Sequence, residues 1–158
     1  MRKDFVAFLL DLAHDDLGKG EVSGQNDGPW IESILREKAR RNWCAAWVLT
    51  KFDEAGHPLP GNFFKNRAVS ELERNLRSAG AQFPADEARP GDIITFNRAG
   101  GGHVGIVVSV PPGHLTFRSL EGNVNNRVSL VHHFFGEKDI RCAYRWPIDE
   151  VFNADSEP

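Results

Sequence analysis

Residues 90–108 read PGDIITFNRAGGGHVGIVV, and the architecture turns on this stretch. The chain before it has helical spacing, while the chain after it has the short period of strands. Pro90-Gly91-Asp92 is a turn that feeds the β-rich run Ile93-Ile94-Thr95-Phe96. Gly100-Gly101-Gly102 is a second tight connection, leading into His103 to Val108. Pro111-Pro112-Gly113 turns again into His114 to Leu120, and Arg127 to His132 and Ile140 to Tyr144 are two more candidate strands. Connections this short predict an antiparallel meander.

Upstream, Phe5, Phe8, Leu9 and Leu12 recur at helical spacing and predict a helix over roughly 4–17. Gly18 to Gly28 is a polar loop, after which Pro29 starts a second helix with Trp30, Ile31, Ile34 and Leu35 on its apolar face. That helix is expected to end near Arg40-Arg41, whose charges suit a helix C-terminus. Asn42 is the candidate N-cap of a third helix through Trp43, Cys44, Ala46, Trp47 and Val48. Gly56 to Asn66 reads as loop, and a fourth helix carries Val69, Leu72 and Leu76 up to Gly80. The class is therefore α+β, with N-terminal helices packed on a C-terminal antiparallel sheet.

With 158 residues, the chain has the size of one domain with one core, expected to run from about 4 to 146 with a flexible polar tail beyond. Lys plus Arg is 19 against 22 for Asp plus Glu, so no bulk charge draws the chain to nucleic acid. Asp11, His14, Asp15 and Asp16 interrupt the first apolar run, which excludes a signal-peptide core or membrane span there. That acidic cluster reads as a solvated helix face. Cys44 and Cys142 are the two cysteines. They make neither a disulfide framework nor a zinc motif, so no metal and no cofactor is expected.

Cys44 falls in the first turn of a predicted helix, where backbone N–H groups stabilise a thiolate and can also serve an oxyanion. A lone cysteine is equally at home as a small buried hydrophobe. His103 opens a strand directly after a glycine triplet, which presents its ring at a strand end, although a surface histidine in a turn would read the same way. A helix-borne cysteine facing a strand-borne histidine is the geometry of a Cys–His nucleophile pair. Glu121 and Asn123 close the next strand, and either could fix the ring tautomer; Glu-Gly-Asn is also ordinary turn chemistry.

Asn42-Trp43-Cys44-Ala45-Ala46-Trp47-Val48, Pro90 to Phe96, Gly102-His103-Val104-Gly105-Ile106-Val107 and Glu121-Gly122-Asn123 follow one another in order. Together they resemble the CHAP branch of the NlpC/P60-type, papain-like superfamily, over roughly 21–144. The segment from Glu21 to Pro29 is similar to the loop before the nucleophile helix in phage-type members. The resemblance implies a papain-like fold and cleavage of an amide bond in peptidoglycan, as an amidase or as an endopeptidase. By position it makes Cys44 the nucleophile, His103 the general base and Glu121 the residue that orients the histidine, with Asn123 assisting as a second polar partner or near the oxyanion; some members use Asn to orient the ring, which leaves Glu121 and Asn123 both open for that role. Trp43, Trp47, Gly101 and Gly102 are the expected substrate-binding neighbours.

Two settings fit an enzyme made in the cytoplasm without a leader and acting on the wall: an endolysin released through a holin, or an injected type VI effector with a cognate immunity protein. Two other classes stay in view, an amidase of a small non-wall amide and a non-catalytic wall-binding module. Phe63-Phe64 reads as core or as the wall of a cleft. In His132-His133, alternation along a strand sends the two rings to opposite faces, one expected at the surface and one in edge packing. Cys142 reads as inert core.

Overall fold

A computed structural model describes residues 2–148; the tail expected beyond Trp146 falls, from residue 149, outside the described residues. The helices α1 (Arg2–Asp15), α2 (Pro29–Leu35), α3 (Cys44–Glu54), α4 (Phe63–Asn66) and α5 (Val69–Ser78) come first. The strands β1 (Gln82–Phe83), β2 (Ile93–Phe96), β3 (His103–Ser109), β4 (Thr116–Val124), β5 (Arg127–Phe134) and β6 (Ile140–Tyr144) follow. The α+β class is the one the sequence predicts. Among the described residues no helix is long and apolar enough to cross a membrane.

The strands form one antiparallel sheet in the order β1-β6-β2-β3-β4-β5. The predicted meander holds from β2 to β5. The last strand leaves it and returns beside β2, where Ile93 pairs with Tyr144 and Ile94 with Ala143. Alternation divides the sheet cleanly. One face sends Ile93, Val104, Ile106, Leu120, Val128 and Tyr144 into the large core shared with the helices. The other face carries a smaller core of Ile94, Phe96, Val107, Phe117 and Ala143.

Helix α3 is the axle of the large core, with Cys44, Ala45, Ala46, Trp47, Val48, Leu49 and Phe52 all buried. Its N-terminus can approach β4 because residue 122 is glycine. A Cβ there would stand 2.9 Å from the Trp43 ring and 3.1 Å from the Trp47 Cβ, closer than packed carbons tolerate.

Several local expectations are corrected. Helix α2 stops at Leu35, because Arg36 takes a left-handed φ of 60°. Arg36 lies over the Phe63 ring at 3.7 Å, and the freed Leu35 carbonyl accepts from the Arg67 guanidinium at 2.9 Å. Helix α3 begins at Cys44 with Trp43 in the cap position and no side-chain cap; Asn42 instead accepts a hydrogen bond from Asn123. The expected loop over 56–66 contains the short helix α4, capped by Asn62. Asp16 is not solvated: it is buried, paired with the buried Lys51, and accepts from the Trp47 indole at 3.0 Å.

Candidate active site

The strand register assembles the site. Phe96 pairs with His103 and Ile106 with Leu120, so the next step outward sets Glu121 beside Gly105. A Cβ on Gly105 would lie 2.5 Å from the Glu121 Cγ; glycine leaves the space that the carboxylate side chain crosses to reach His103.

His103 is 1% exposed and Glu121 1%, and the His103 Nε2 stands 2.6 Å from the Glu121 Oε1. The ring also hydrogen-bonds the Cys44 side chain. With Nε2 engaged by Glu121, Nδ1 is the nitrogen left for the thiol. Cys44 is itself buried, at the first residue of α3, where the first N–H groups of the helix have no partner within it. A thiol, an imidazole and a carboxylate thus stand in one line from a helix N-terminus through a strand end to the neighbouring strand.

Electrostatics reinforce the line. Burial pushes the Glu121 carboxyl up, but hydrogen bonds from His103, His133 and Ser119 outweigh it and hold the group at about 2. Burial likewise works against a charged His103, while the partners Cys44 and Glu121 raise its pKa above the ordinary value. Glu121 is therefore a carboxylate at every ordinary pH, and it favours the imidazolium that forms when His103 takes a proton.

Asn123 stands apart from this line. Its amide donates to Asn42 and, at 3.4 Å, to Asn26. It ties the end of β4 to the segment that enters α3, two residues before Cys44, and makes no described hydrogen bond to His103. Of the two candidates for the orienting position, geometry brings Glu121 and not Asn123 to the ring.

Trp43 and Trp47 are corrected as substrate contacts, since both are fully buried. The Trp43 indole donates to the Glu21 Oε1 at 2.9 Å and stacks edge-on against Trp30, and Trp47 is tied to Asp16. They brace α3 from inside. Gly102 is covered as well: the Arg141 guanidinium stands 3.0 Å from where its Cβ would be. Gly101 is exposed, with open space at the Cβ position. Phe64 is 49% exposed, while Phe63 and the half-buried Cys142 both pack against the core, the Cys142 sulfur accepting from the Gln82 amide.

Two residues of this cluster are missing from the reading of the sequence. Ser119 donates to the Glu121 Oε2, and His133 reaches the same oxygen at 2.7 Å. Alternation back from Glu121 would have found Ser119. The doublet was split as expected, with His132 exposed, but His133 does more than pack at an edge.

The family model for the CHAP domain matches residues 36–123, more than half of the chain and inclusive of Cys44, His103, Glu121 and Asn123. Among solved structures the chain is similar to the crystal structure of the NlpC/p60 domain of the peptidoglycan hydrolase SagA, at 16% identity and a TM-score of 0.49, over 89% of this chain and 97% of that one. No curated protein matches the sequence.

Proposed function

This chain belongs to the CHAP domain family, and from that premise we propose that it hydrolyses an amide bond of peptidoglycan by a Cys44–His103–Glu121 mechanism. The observation that carries the reading is the unbroken line of contacts from the Cys44 thiol through His103 to the Glu121 carboxylate. A buried imidazole between a thiol and a carboxylate is built to move one proton and to tolerate the charge that results.

The reaction is acyl transfer in two steps. His103 takes the thiol proton at Nδ1 while its Nε2–H stays on Glu121. The Cys44 sulfur attacks the amide carbon, and the oxyanion is received by the Cys44 backbone N–H and a neighbouring donor. His103 returns the proton to the leaving amine, the C–N bond breaks, and a thioester remains. Water, deprotonated by His103, then attacks the thioester, releasing the carboxylic acid and regenerating the thiol. The bond cut is either that between muramic acid and the first alanine or one within the peptide. The protein reaches the wall as an endolysin or as an injected effector, and a cognate immunity protein co-purifying with it would select the second.

The test is mass spectrometry of muropeptides after digestion of purified peptidoglycan by wild type and by Cys44→Ala. Products from the wild type alone are expected, and their masses name the bond. Equal products from both would sink the mechanism, and products from neither would sink the wall as substrate.

A further inference from the structure

Glu121 has a second histidine. His133, on the edge strand β5, places its Nε2 2.7 Å from the Glu121 Oε2 and its Nδ1 2.8 Å from the Glu137 Oε2. The ring is clamped between two aromatic planes, Phe96 at 4.7 Å and 27° and Phe117 at 4.9 Å and 21°. Glu137 is itself fixed, its Oε1 accepting the Phe134 backbone N–H at 3.0 Å. Both ring nitrogens thus face carboxylate oxygens, which accept and do not donate. An imidazole satisfies two such partners only when both nitrogens carry protons, as imidazolium. The flanking rings keep water from its faces and favour a cation lying between them.

We propose that His133 is a positioning residue of the catalytic pair: held as an imidazolium between Glu121 and Glu137, it fixes the Glu121 carboxylate on His103 and takes up part of its charge. The proposal rests on Glu121 being the group that orients His103. It goes beyond the family match, which ends at residue 123. The line from the nucleophile runs Cys44, His103, Glu121, His133, Glu137, across β3, β4, β5 and the turn after it. The groups that face the His133 ring are Glu121, Ser119 through the shared oxygen, Phe117, Phe96 and Glu137, with His103 on the far side of the carboxylate. Burial works against a charged His133, and its two carboxylate partners overcome it, raising its pKa above the ordinary value.

A consequence follows for the reaction. While His133 is charged, it draws on the Glu121 carboxylate from the side opposite His103 and restrains the rise of the His103 pKa. When His133 loses a proton, Glu121 acts on His103 alone, and the His103 imidazolium is held more tightly. A base that holds its proton too firmly is a poorer donor to the leaving amine.

The experiment has two arms on the full chain. Nitrogen-15 NMR of the imidazoles, followed against pH in wild type, His133→Gln and Glu137→Gln, reads both histidines without any substrate. At pH 6 His133 is expected to carry two N–H protons. The His103 resonances are expected to inflect a second time where His133 titrates. His133→Gln, which keeps one donor to Glu121 but no charge, is expected to remove that inflection and move the His103 titration to higher pH. The second arm is the pH profile of muropeptide release, where His133→Gln is expected to lower the rate about tenfold, the size of one charge-assisted contact, and to shift the profile alkaline. A residue that only packs would lower rate and melting temperature alike, with no change in the profile's shape. Should His133→Gln not fold, Glu137→Gln leaves the ring in place and is expected to bring the His133 titration, and the His103 inflection with it, to lower pH. A singly protonated His133 at pH 6, or a His103 titration indifferent to both substitutions, overturns the proposal. If wild type releases nothing from peptidoglycan, the proposed function fails, while the NMR arm still decides the role of His133.

Discussion

Glu73 and Glu121 are both almost wholly buried glutamates, each surrounded by hydrogen-bond donors, on opposite sides of the same sheet. Glu73, on α5, accepts from Thr95 and Tyr144, each at 3.1 Å, and from the Arg141 guanidinium. Glu121 accepts from Ser119, His103 and His133. Burying a carboxylate requires donors of some kind, and both sites meet that requirement. They differ in what the donors can give away. A guanidinium is a donor that does not exchange its charge, and burial together with the Glu73 charge drives the Tyr144 hydroxyl well above its ordinary value. Glu73 therefore closes a seam between α5 and the sheet. Two of the donors of Glu121 are imidazoles, which can gain and lose a proton, and one of them is paired with the only cysteine at a helix N-terminus among the described residues. A buried acid becomes part of a reaction when its partners can move protons, and burial alone does not make it so.

Exchanging the two carboxylates for amides is the sharpest way to break this comparison. Glu121→Gln is expected to lower the rate of muropeptide release about 10²- to 10⁴-fold, because an amide can orient the ring in the wrong tautomer and cannot offset an imidazolium. Glu73→Gln is expected to leave the rate per folded molecule unchanged while lowering stability by about 2–3 kcal/mol in urea denaturation, since the Arg141 charge loses its partner. A large loss of rate with Glu73→Gln would erase the distinction between the two sites.

A smaller effect is expected from packing. Gly122→Ala forces a methyl against Trp43 and Trp47 and should cost about 1–3 kcal/mol. It should also lower the rate, because the strain falls on the first turn of α3 that carries Cys44. Thermal melting and activity measured side by side will show whether the two losses travel together.

The smallest effect lies in pH. Glu121 is held at about 2 against an ordinary 4.5, so the stability it supplies is present above about 4.5 and is lost as pH falls toward 2. His103 and His133 are raised above an ordinary 6.5, so theirs is present below 6.5 and is lost as pH rises through the folded values. The difference in urea midpoint between wild type and Glu121→Gln is therefore expected to be greatest between about pH 4.5 and 6.5 and to narrow on both sides. A difference that stays flat from pH 3 to 9 would contradict the pairing.

Much of the site was legible because its parts are local signals. Cys44 followed by small residues, the glycine triplet before His103 and the Glu-Gly-Asn end of a strand are each visible within a few residues. Where the sequence misled, a long-range contact overrode a local preference. Arg36 leaves the helix for the ring of Phe63 and shortens α2. Asn42 gives up the cap it could have made for a bond to Asn123. Trp43 and Trp47 flank the nucleophile in sequence and so look like substrate contacts, yet the cap of α3 and its first turn send these two side chains inward.

By itself the sequence determined the α+β class, the placing of helices before strands, and which residue types were available for acyl transfer, because periodicity and turn chemistry are written in neighbouring residues. It also determined that the two rings of His132-His133 face opposite ways. Which one faces the catalytic carboxylate was decided by a bulge. The turn at Asn125-Asn126, both with positive φ, pairs Val124 with Arg127, and an unbroken ladder from there would set His132 on the face of Glu121. The register instead slips by one residue between Val124 and Glu121, where Asn123 takes a φ of 62°. Phe117 then pairs with His133, and His133 turns to Glu121 while His132 turns to solvent. A slip of one residue exchanges the two faces of a strand. No local pattern encodes it, because the bulge is stabilised by Asn26 and Asn42, residues that are distant in the chain and meet Asn123 only once the helices have packed on the sheet.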